Sequence, residues 1–181
     1  RCRPFPTKEG PRFILDAAKA PYGTLGLAFA MMEAARAPRK RIVLGHISDY
    51  SGNPNPKYRD AYKAARAVAD EVIYVGENAH RSRASQEDRD SGRFFEFSTA
   101  KEVFDHLRKT ARKDELILLK GSRNLHLERI ALAWDGDVKC WESSCGVKTD
   151  CFHCGLYQHP FAEHQAIRRE RGRQRRRERL K

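Results

Sequence analysis

The sequence predicts a Rossmann-like α/β domain: a mostly parallel sheet with helices on both faces, extended by a small Cys-rich segment and a basic tail. Three observations lead there. Over residues 12–120 short apolar runs alternate with amphipathic stretches, the order of successive βαβ units. Three of the runs are almost wholly apolar, as strands covered on both faces must be. Each is separated from the next by a stretch long enough for a helical crossover, which makes the strands parallel.

The elements follow in order. "RFILD" (12–16) is the first strand, and "YGTLGLAFAMMEAAR" (22–36) places its apolar residues at helical spacing. "RIVLG" (41–45) is the second strand. After the turn-rich "SDYSGNPNP" comes a helix near 57–69, then the strand "EVIYVG" (71–76). The polar "HRSRASQEDRDSG" (80–92) predicts a mobile surface loop. A short strand "RFFEF" (93–97), a helix over 99–111, a strand "ELILLK" (115–120) and a last helix over 124–134 complete the layered unit. In such sheets ligands gather at the carboxyl ends of strands, here near Asp16, residues 45–53, 76–80 and 120–123. Neither G-x-G-x-x-G nor G-x-x-x-x-G-K-[ST] occurs, so the chain by itself gives no reason to expect nucleotide hydrolysis.

With 181 residues, 40% of them hydrophobic, the chain suffices for one core of ordinary size with a small addition. No run approaches the roughly 18 apolar residues of a membrane span, and the first residues carry no signal-peptide pattern. A cytoplasmic chain is expected, with its cysteines read as thiols before disulfides. Opening on Arg1 instead of Met, it is expected to be part of something longer. The net charge of +12 is unevenly placed: residues 161–181 hold 9 Lys or Arg against 3 Glu, which is half of it. Such a block ordinarily solvates a frayed or extended helix; an acidic partner such as RNA or a membrane surface is the functional alternative.

Taken in order, the strand-end segments resemble the C-terminal domain of the Mur ligases, the ATP-dependent enzymes that add amino acids or a dipeptide to peptidoglycan precursors. "RCRP" resembles the interdomain linker G-R-x-x-P without its glycine, and "ILDAAKAPYGTL" (14–25) the strand and turn D-D-S-Y-N-A-N-P. "IVLGHISDYSG" is similar to V-L-G-D-M-x-E-L-G, and "EVIYVGENA" to the strand ending V-G-E-x-A. "LILLKGSRNLHLERI" matches V-L-V-K-G-S-R-x-x-x-x-E of the type that adds D-alanyl-D-alanine. The resemblance covers roughly residues 1–134. It implies a three-domain enzyme whose central, upstream domain binds ATP and Mg2+ and makes an acyl phosphate from a carboxylate precursor. The C-terminal domain then closes over the nucleotide and presents the amine, and this chain alone is expected to be inactive.

Residue by residue, the resemblance assigns Arg1, the linker arginine, and Asp16, the strand-end aspartate, to the nucleotide. Lys19 stands where the family has Asn or His: it is either a point charge for a phosphate or a solvated loop residue. His46 replaces a usual aspartate, so any role that needs a carboxylate there is lost or moved. Lys120, Ser122 and Arg123 of "KGSR" lie at a strand end before a helix, where backbone N–H groups and positive charge favour an anion. They are read as a grip on the carboxylate of the incoming amino acid or dipeptide, against an ordinary strand–helix turn. For Asp16 the plain alternative is a helix cap.

Cys140, Cys145, Cys151 and Cys154 have the spacing C-x4-C-x5-C-x2-C, ending in a proper metal knuckle. Four thiolates around one structural zinc is the first reading, with His153 and His159 able to replace a cysteine. Disulfides, reduced thiols and an iron–sulfur cluster are the alternatives. The expected layout is a linker remnant (1–11), the Rossmann-like domain (12–134), a zinc-binding segment (135–160) and the tail (161–181). The rival to the ligase reading is a zinc-stabilised nucleic-acid-binding module on the same scaffold. It is weakened because the tail lacks aromatics for base stacking and no RNA-binding signature occurs.

Overall fold

In the computed structural model, which describes residues 2–147 and 149–179, six strands form one sheet. They are β1 (Arg3–Phe5), β2 (Arg12–Asp16), β3 (Lys40–Leu44), β4 (Glu71–Val75), β5 (Phe94–Phe97) and β6 (Leu116–Lys120), in the order β1-β2-β6-β3-β4-β5. β1 runs antiparallel to β2 and every other pairing is parallel. The expected Rossmann-like architecture is thus the one formed. Successive side chains of a strand point to opposite faces. Ile14, Ile42, Leu44, Val72 and Leu118 therefore pack beneath α1 (Leu25–Ala34) and α2 (Pro54–Val68). Phe13, Leu15, Val43, Ile73 and Ile117 face the opposite layer, where α4 (Ala100–Thr110) and α5 (Glu128–Asp135) lie. With both faces covered, the continuous apolar runs need no polar alternation.

Several elements differ from the sequence expectation, each for a local reason. The stretch 22–36 begins as a single 3-10 turn, Tyr22–Thr24, and α1 starts at Leu25. α2 starts at Pro54, earlier than 57: Asn53 Oδ1 accepts from the Asn55 N–H at 2.9 Å, and a first-turn proline lacks only an N–H that would have no helical partner. The loop expected to be mobile, 80–92, carries the 3-10 turn Ala79–Ser82 and the short helix α3 (Gln86–Asp90). Ser85 Oγ accepts from the Asp88 N–H, and the Asp88 carboxylate accepts from the Tyr62 hydroxyl at 2.6 Å beside Arg66 and Arg93. The helix over 124–134 is broken: a 3-10 turn, Arg123–Leu125, is followed by His126 in the left-handed region (φ 48), and α5 begins at Glu128. The stretch 1–11, expected as a linker, supplies β1.

Beyond α5 the cysteine segment forms the single-turn helix α6 (Cys151–Cys154) and packs Val138 and Cys151 on Leu132, with Phe5, Trp141, Phe152 and Tyr157 around them. The Lys139 and Cys140 N–H groups both donate to the Tyr157 carbonyl. α7 (His164–Arg179) is exposed along nearly its whole length. Among the described residues no helix is long and apolar enough to cross a membrane.

Candidate functional site

The carboxyl edge of the sheet is built where β2, β6 and β3 end in register, Asp16 beside Lys120 and Lys120 beside Leu44. Pairing continues one residue further, with the Gly45 N–H donating to the Lys120 carbonyl and the Gly121 N–H to that of Asp16. Gly45 and Gly121 then pass so closely that a Cβ on Gly121 would sit 3.2 Å from Gly45 Cα and 2.8 Å from Leu127 Cδ1. Only glycine allows this approach. It brings the two connections together over the sheet edge.

Lys120 is buried and committed. Its Nζ is 3.0 Å from Asp16 Oδ2 and also donates to the Lys19 carbonyl, so it fixes the β2 and β6 ends and does not itself line the crevice. The other Asp16 oxygen, Oδ1, is buried with no hydrogen-bond partner among the described residues, and so is Ser122 Oγ. A buried acceptor or hydroxyl left in this state is unfavourable until something supplies the missing bond. The two atoms are themselves buried, but both residues line clefts. Asp16 and Arg123 line a cleft of about 210 Å³ with Arg3, Glu128, Asp150 and Phe152. Lys19, Arg123 and Asn124 line a neighbour of about 560 Å³, and Ser122, Asn124 and His46 a third of about 350 Å³. Arg123 belongs to the first two clefts and Asn124 to the last two, so they form one crevice along the edge. His46 contacts Asn78 at 3.3 Å at its far end. Arg1 lies outside the described residues.

The opposite wall comes from the cysteine segment. Ser143 and Ser144 line both larger clefts, and Cys145 and Gly146 the middle one. The loop that carries the cysteines therefore closes the crevice. What holds it there is Arg129, whose Nη1 donates to the Glu142 carbonyl at 2.7 Å and whose Nε donates to Cys151 Sγ at 3.0 Å. Sequence reasoning missed His126, Glu128, Arg129, Ser143 and Ser144. The "E" five residues after Arg123 in the family-like motif was the available signal, for it is Glu128.

The four cysteines do not gather into one cluster. Cys145 Sγ is 3.2 Å from His126 Nε2 and Cys151 Sγ is 3.5 Å from His126 Nδ1. Cys140 is buried nearby, whereas Cys154 sits on the outer side against Arg168 at 3.9 Å. His153 is exposed and paired with Asp150, and His159 faces Glu163 at 3.9 Å. The group of potential ligand atoms within 4.8 Å of one another, among the described residues, is His126, Glu128 and Cys151. Burial, with Glu128 adjacent, pushes the Cys151 thiol up to about 12. Burial also works to raise Glu128, but a hydrogen bond with His126 and the Cys151 N–H hold its carboxyl below the ordinary range. Burial would lower the Arg129 guanidinium, yet the sulfurs of Cys151, Cys140 and Cys145 raise it.

Comparison with known proteins bears on this edge directly. The family model described as Mur ligase, glutamate ligase domain, matches residues 1–123, more than half of the chain. The chain belongs to the Mur ligase C-terminal domain family. No curated protein matches it in sequence. Among solved structures, the MurF ligase of Thermotoga maritima in complex with ADP is 16% identical with a TM-score of 0.60, over 72% of this chain and 29% of that one. MurF of Acinetobacter baumannii is 18% identical with a TM-score of 0.60, over 74% and 29%. A domain from a putative Haemophilus ducreyi UDP-N-acetylmuramate:L-alanyl-γ-D-glutamyl-meso-diaminopimelate ligase is 9% identical with a TM-score of 0.52, over 74% and 99%. These likenesses establish the fold. The chain spans less than a third of the MurF enzymes it resembles. The Mur ligase match stops at Arg123, so His126 and the whole cysteine wall lie beyond it.

Proposed function

We propose that the chain serves as the C-terminal domain of an ATP-dependent amide ligase of the Mur type, presenting an amino acid or dipeptide amine during synthesis of cell-wall precursors. The observation that carries this reading is the crevice in which Arg123, Ser122 and Asp16, three positions of the family-like motifs, converge on one connected space. A substrate carboxylate suits the Arg123 side: a guanidinium offers a planar pair of donors, and the Ser122 hydroxyl a further one. The ammonium end of the same substrate suits the free oxygen of Asp16. Lys120 positions Asp16 and leaves the gripping to Arg123.

ATP and Mg2+ fit this chain only in part. It has no phosphate-binding glycine loop; of the residues the resemblance assigns to the nucleotide, Arg1 lies outside the described residues, Asp16 is taken here as the contact for the amine, and Lys19 remains, lining the crevice with Arg123 and Asn124. When bound, ATP supplies the phosphoryl group that activates the carboxylate to be joined. An upstream domain of the same protein is the proposed holder of ATP and of the metal.

In the whole ligase, Arg123→Ala should raise the KM for the amine substrate at least about tenfold, the effect of losing a charge-assisted hydrogen bond of ~1.5–3 kcal/mol, with kcat less affected. An unchanged KM for every amine the enzyme accepts would remove Arg123 from the site. The chain by itself should show no ATP-dependent ligation, and turnover above a blank would contradict the division of labour.

A further inference from the structure

We propose that His126, Glu128 and Cys151 bind one zinc ion through the imidazole Nδ1, a carboxylate oxygen and the thiolate, tying the cysteine loop to the strand–helix connection of the crevice. All three residues are buried, and their ligand atoms already lie within 4.8 Å of one another. The separations suit a tetrahedral ion. Zn–N of about 2.0–2.1 Å and Zn–S of about 2.3 Å place the two ligand atoms about 3.5 Å apart at the tetrahedral angle. His126 Nδ1 stands 3.5 Å from Cys151 Sγ and 3.6 Å from Glu128 Oε1.

The surroundings support the site independently of those two distances. His126 adopts φ 48, uncommon for a residue with a side chain, and such a backbone persists where its environment over-determines it. With Nδ1 turned to the ion, Nε2–H donates to Cys145 Sγ at 3.2 Å, the outer hydrogen bond that fixes a ligating imidazole in one tautomer. Glu128 is held by the Cys151 N–H at 2.9 Å and the Cys151 sulfur by Arg129 Nε–H at 3.0 Å, so each ligand has an orienting partner. One thiolate and one carboxylate neutralise a divalent ion. The mixed nitrogen, sulfur and oxygen set favours zinc over calcium or magnesium, which take oxygen ligands. The ion would bridge two parts of the chain: His126 and Glu128 follow the "KGSR" turn, and Cys151 closes the loop that carries Ser143 and Ser144.

The test uses the full 181-residue chain, stripped with a chelator and titrated with Zn2+ against a chromophoric competitor, then with Co2+ as a spectroscopic probe. One equivalent should bind. Cys151→Ser and His126→Asn should each weaken binding at least tenfold, whereas Cys154→Ser should bind as the parent does. Asparagine is chosen because it tolerates the left-handed backbone while removing the imidazole. The Co2+ form of the unsubstituted chain should show the charge-transfer band of one thiolate, a readout that needs no variant to fold. Failure to bind one equivalent would overturn the proposal and leave Arg129 as the resident cation of the sulfurs. So would a four-thiolate spectrum, with binding lost in Cys140→Ser and Cys154→Ser and kept in His126→Asn.

Discussion

Arg41, Glu71 and Glu115 stand at the amino edge of β3, β4 and β6, whereas Asp16 and Lys120 stand at the carboxyl edge of β2 and β6. All are buried, yet their surroundings differ. At the amino edge Arg41 lies 3.6 Å from Glu71 and 3.5 Å from Glu115, with Arg39 and His106 on the same carboxylates and Thr110 accepting from the Arg41 guanidinium. Burial lowers the Arg41 guanidinium against the pull of Glu71 and Glu115, and burial raises the Glu115 carboxyl against the pull of Arg41. The crevice clefts do not reach this cluster. Buried atoms without a hydrogen-bond partner occur at both edges, Arg41 Nε and the two Glu115 carboxylate oxygens at the amino edge, Asp16 Oδ1 and Ser122 Oγ at the carboxyl edge, but only Asp16 and Ser122 belong to residues that line the crevice. What separates the two edges is therefore access: the amino-edge cluster packs on itself away from the crevice, and the carboxyl-edge residues stand along it.

The largest effect should come from breaking the sealed end. Arg41→Met removes the buried cation between Glu115 and Glu71, leaving Glu115 only the partly exposed Arg39 at 3.7 Å, and should destabilise the fold by about 3–5 kcal/mol in urea unfolding. Lys120→Met sharpens the comparison: Asp16 loses its partner at the rim of a cleft that admits water, so the cost should be smaller, about 1–3 kcal/mol. Equal losses would mean that the two ends are sealed alike.

Asp88, near the amino edge, supplies a pH test. Its hydrogen bond from Tyr62 lowers the carboxyl, with Arg66 and Arg93 acting in the same sense against burial. A folded-state value below the unfolded one means stabilisation that is present above the ordinary carboxylate range and lost as pH falls through the folded value. Asp88→Asn should therefore cost about 1 kcal/mol at pH 7, and the gap to the parent should close below about pH 4. A gap that persists at low pH would assign the effect to packing. The smallest effect is expected at the end of the chain. Deleting the residues after Arg171 should change stability by less than about 0.5 kcal/mol, because α7 is exposed there. RNA binding with a steep salt dependence, lost on this deletion, would instead give the tail a function.

Much of the sheet was legible because parallel strands buried on both faces write themselves as apolar runs: "IVL" and "EVIYV" allow little else. β1 was not, since three residues containing Pro4 carry no periodicity and pair only because β2 offers an edge. The break at His126 was hidden too: nothing local in "RNLHLERI" announces a left-handed histidine, which long-range contacts with Cys145 and Cys151 hold in place. For the same reason the strand-end residues Asp16 and Arg123 were readable from motif and position, while the wall formed by Ser143 and Ser144 was not. Their place depends on Arg129 reaching the Glu142 carbonyl across thirteen residues. The spacing of the cysteines suggested four equivalent ligands, and the fold distributes them unequally around Arg129 and Arg168.

The claim that the carboxyl edge is the binding end is tested most directly by titrating the isotope-labelled chain with D-alanyl-D-alanine and following its backbone amides by NMR. Saturable shifts should appear at Ala18, Lys19, Ser122, Asn124 and Ser144, while Arg41 and Glu115 stay still. Shifts centred on the amino edge or on α7, or no saturable shift for this dipeptide or any single amino acid, would contradict the account.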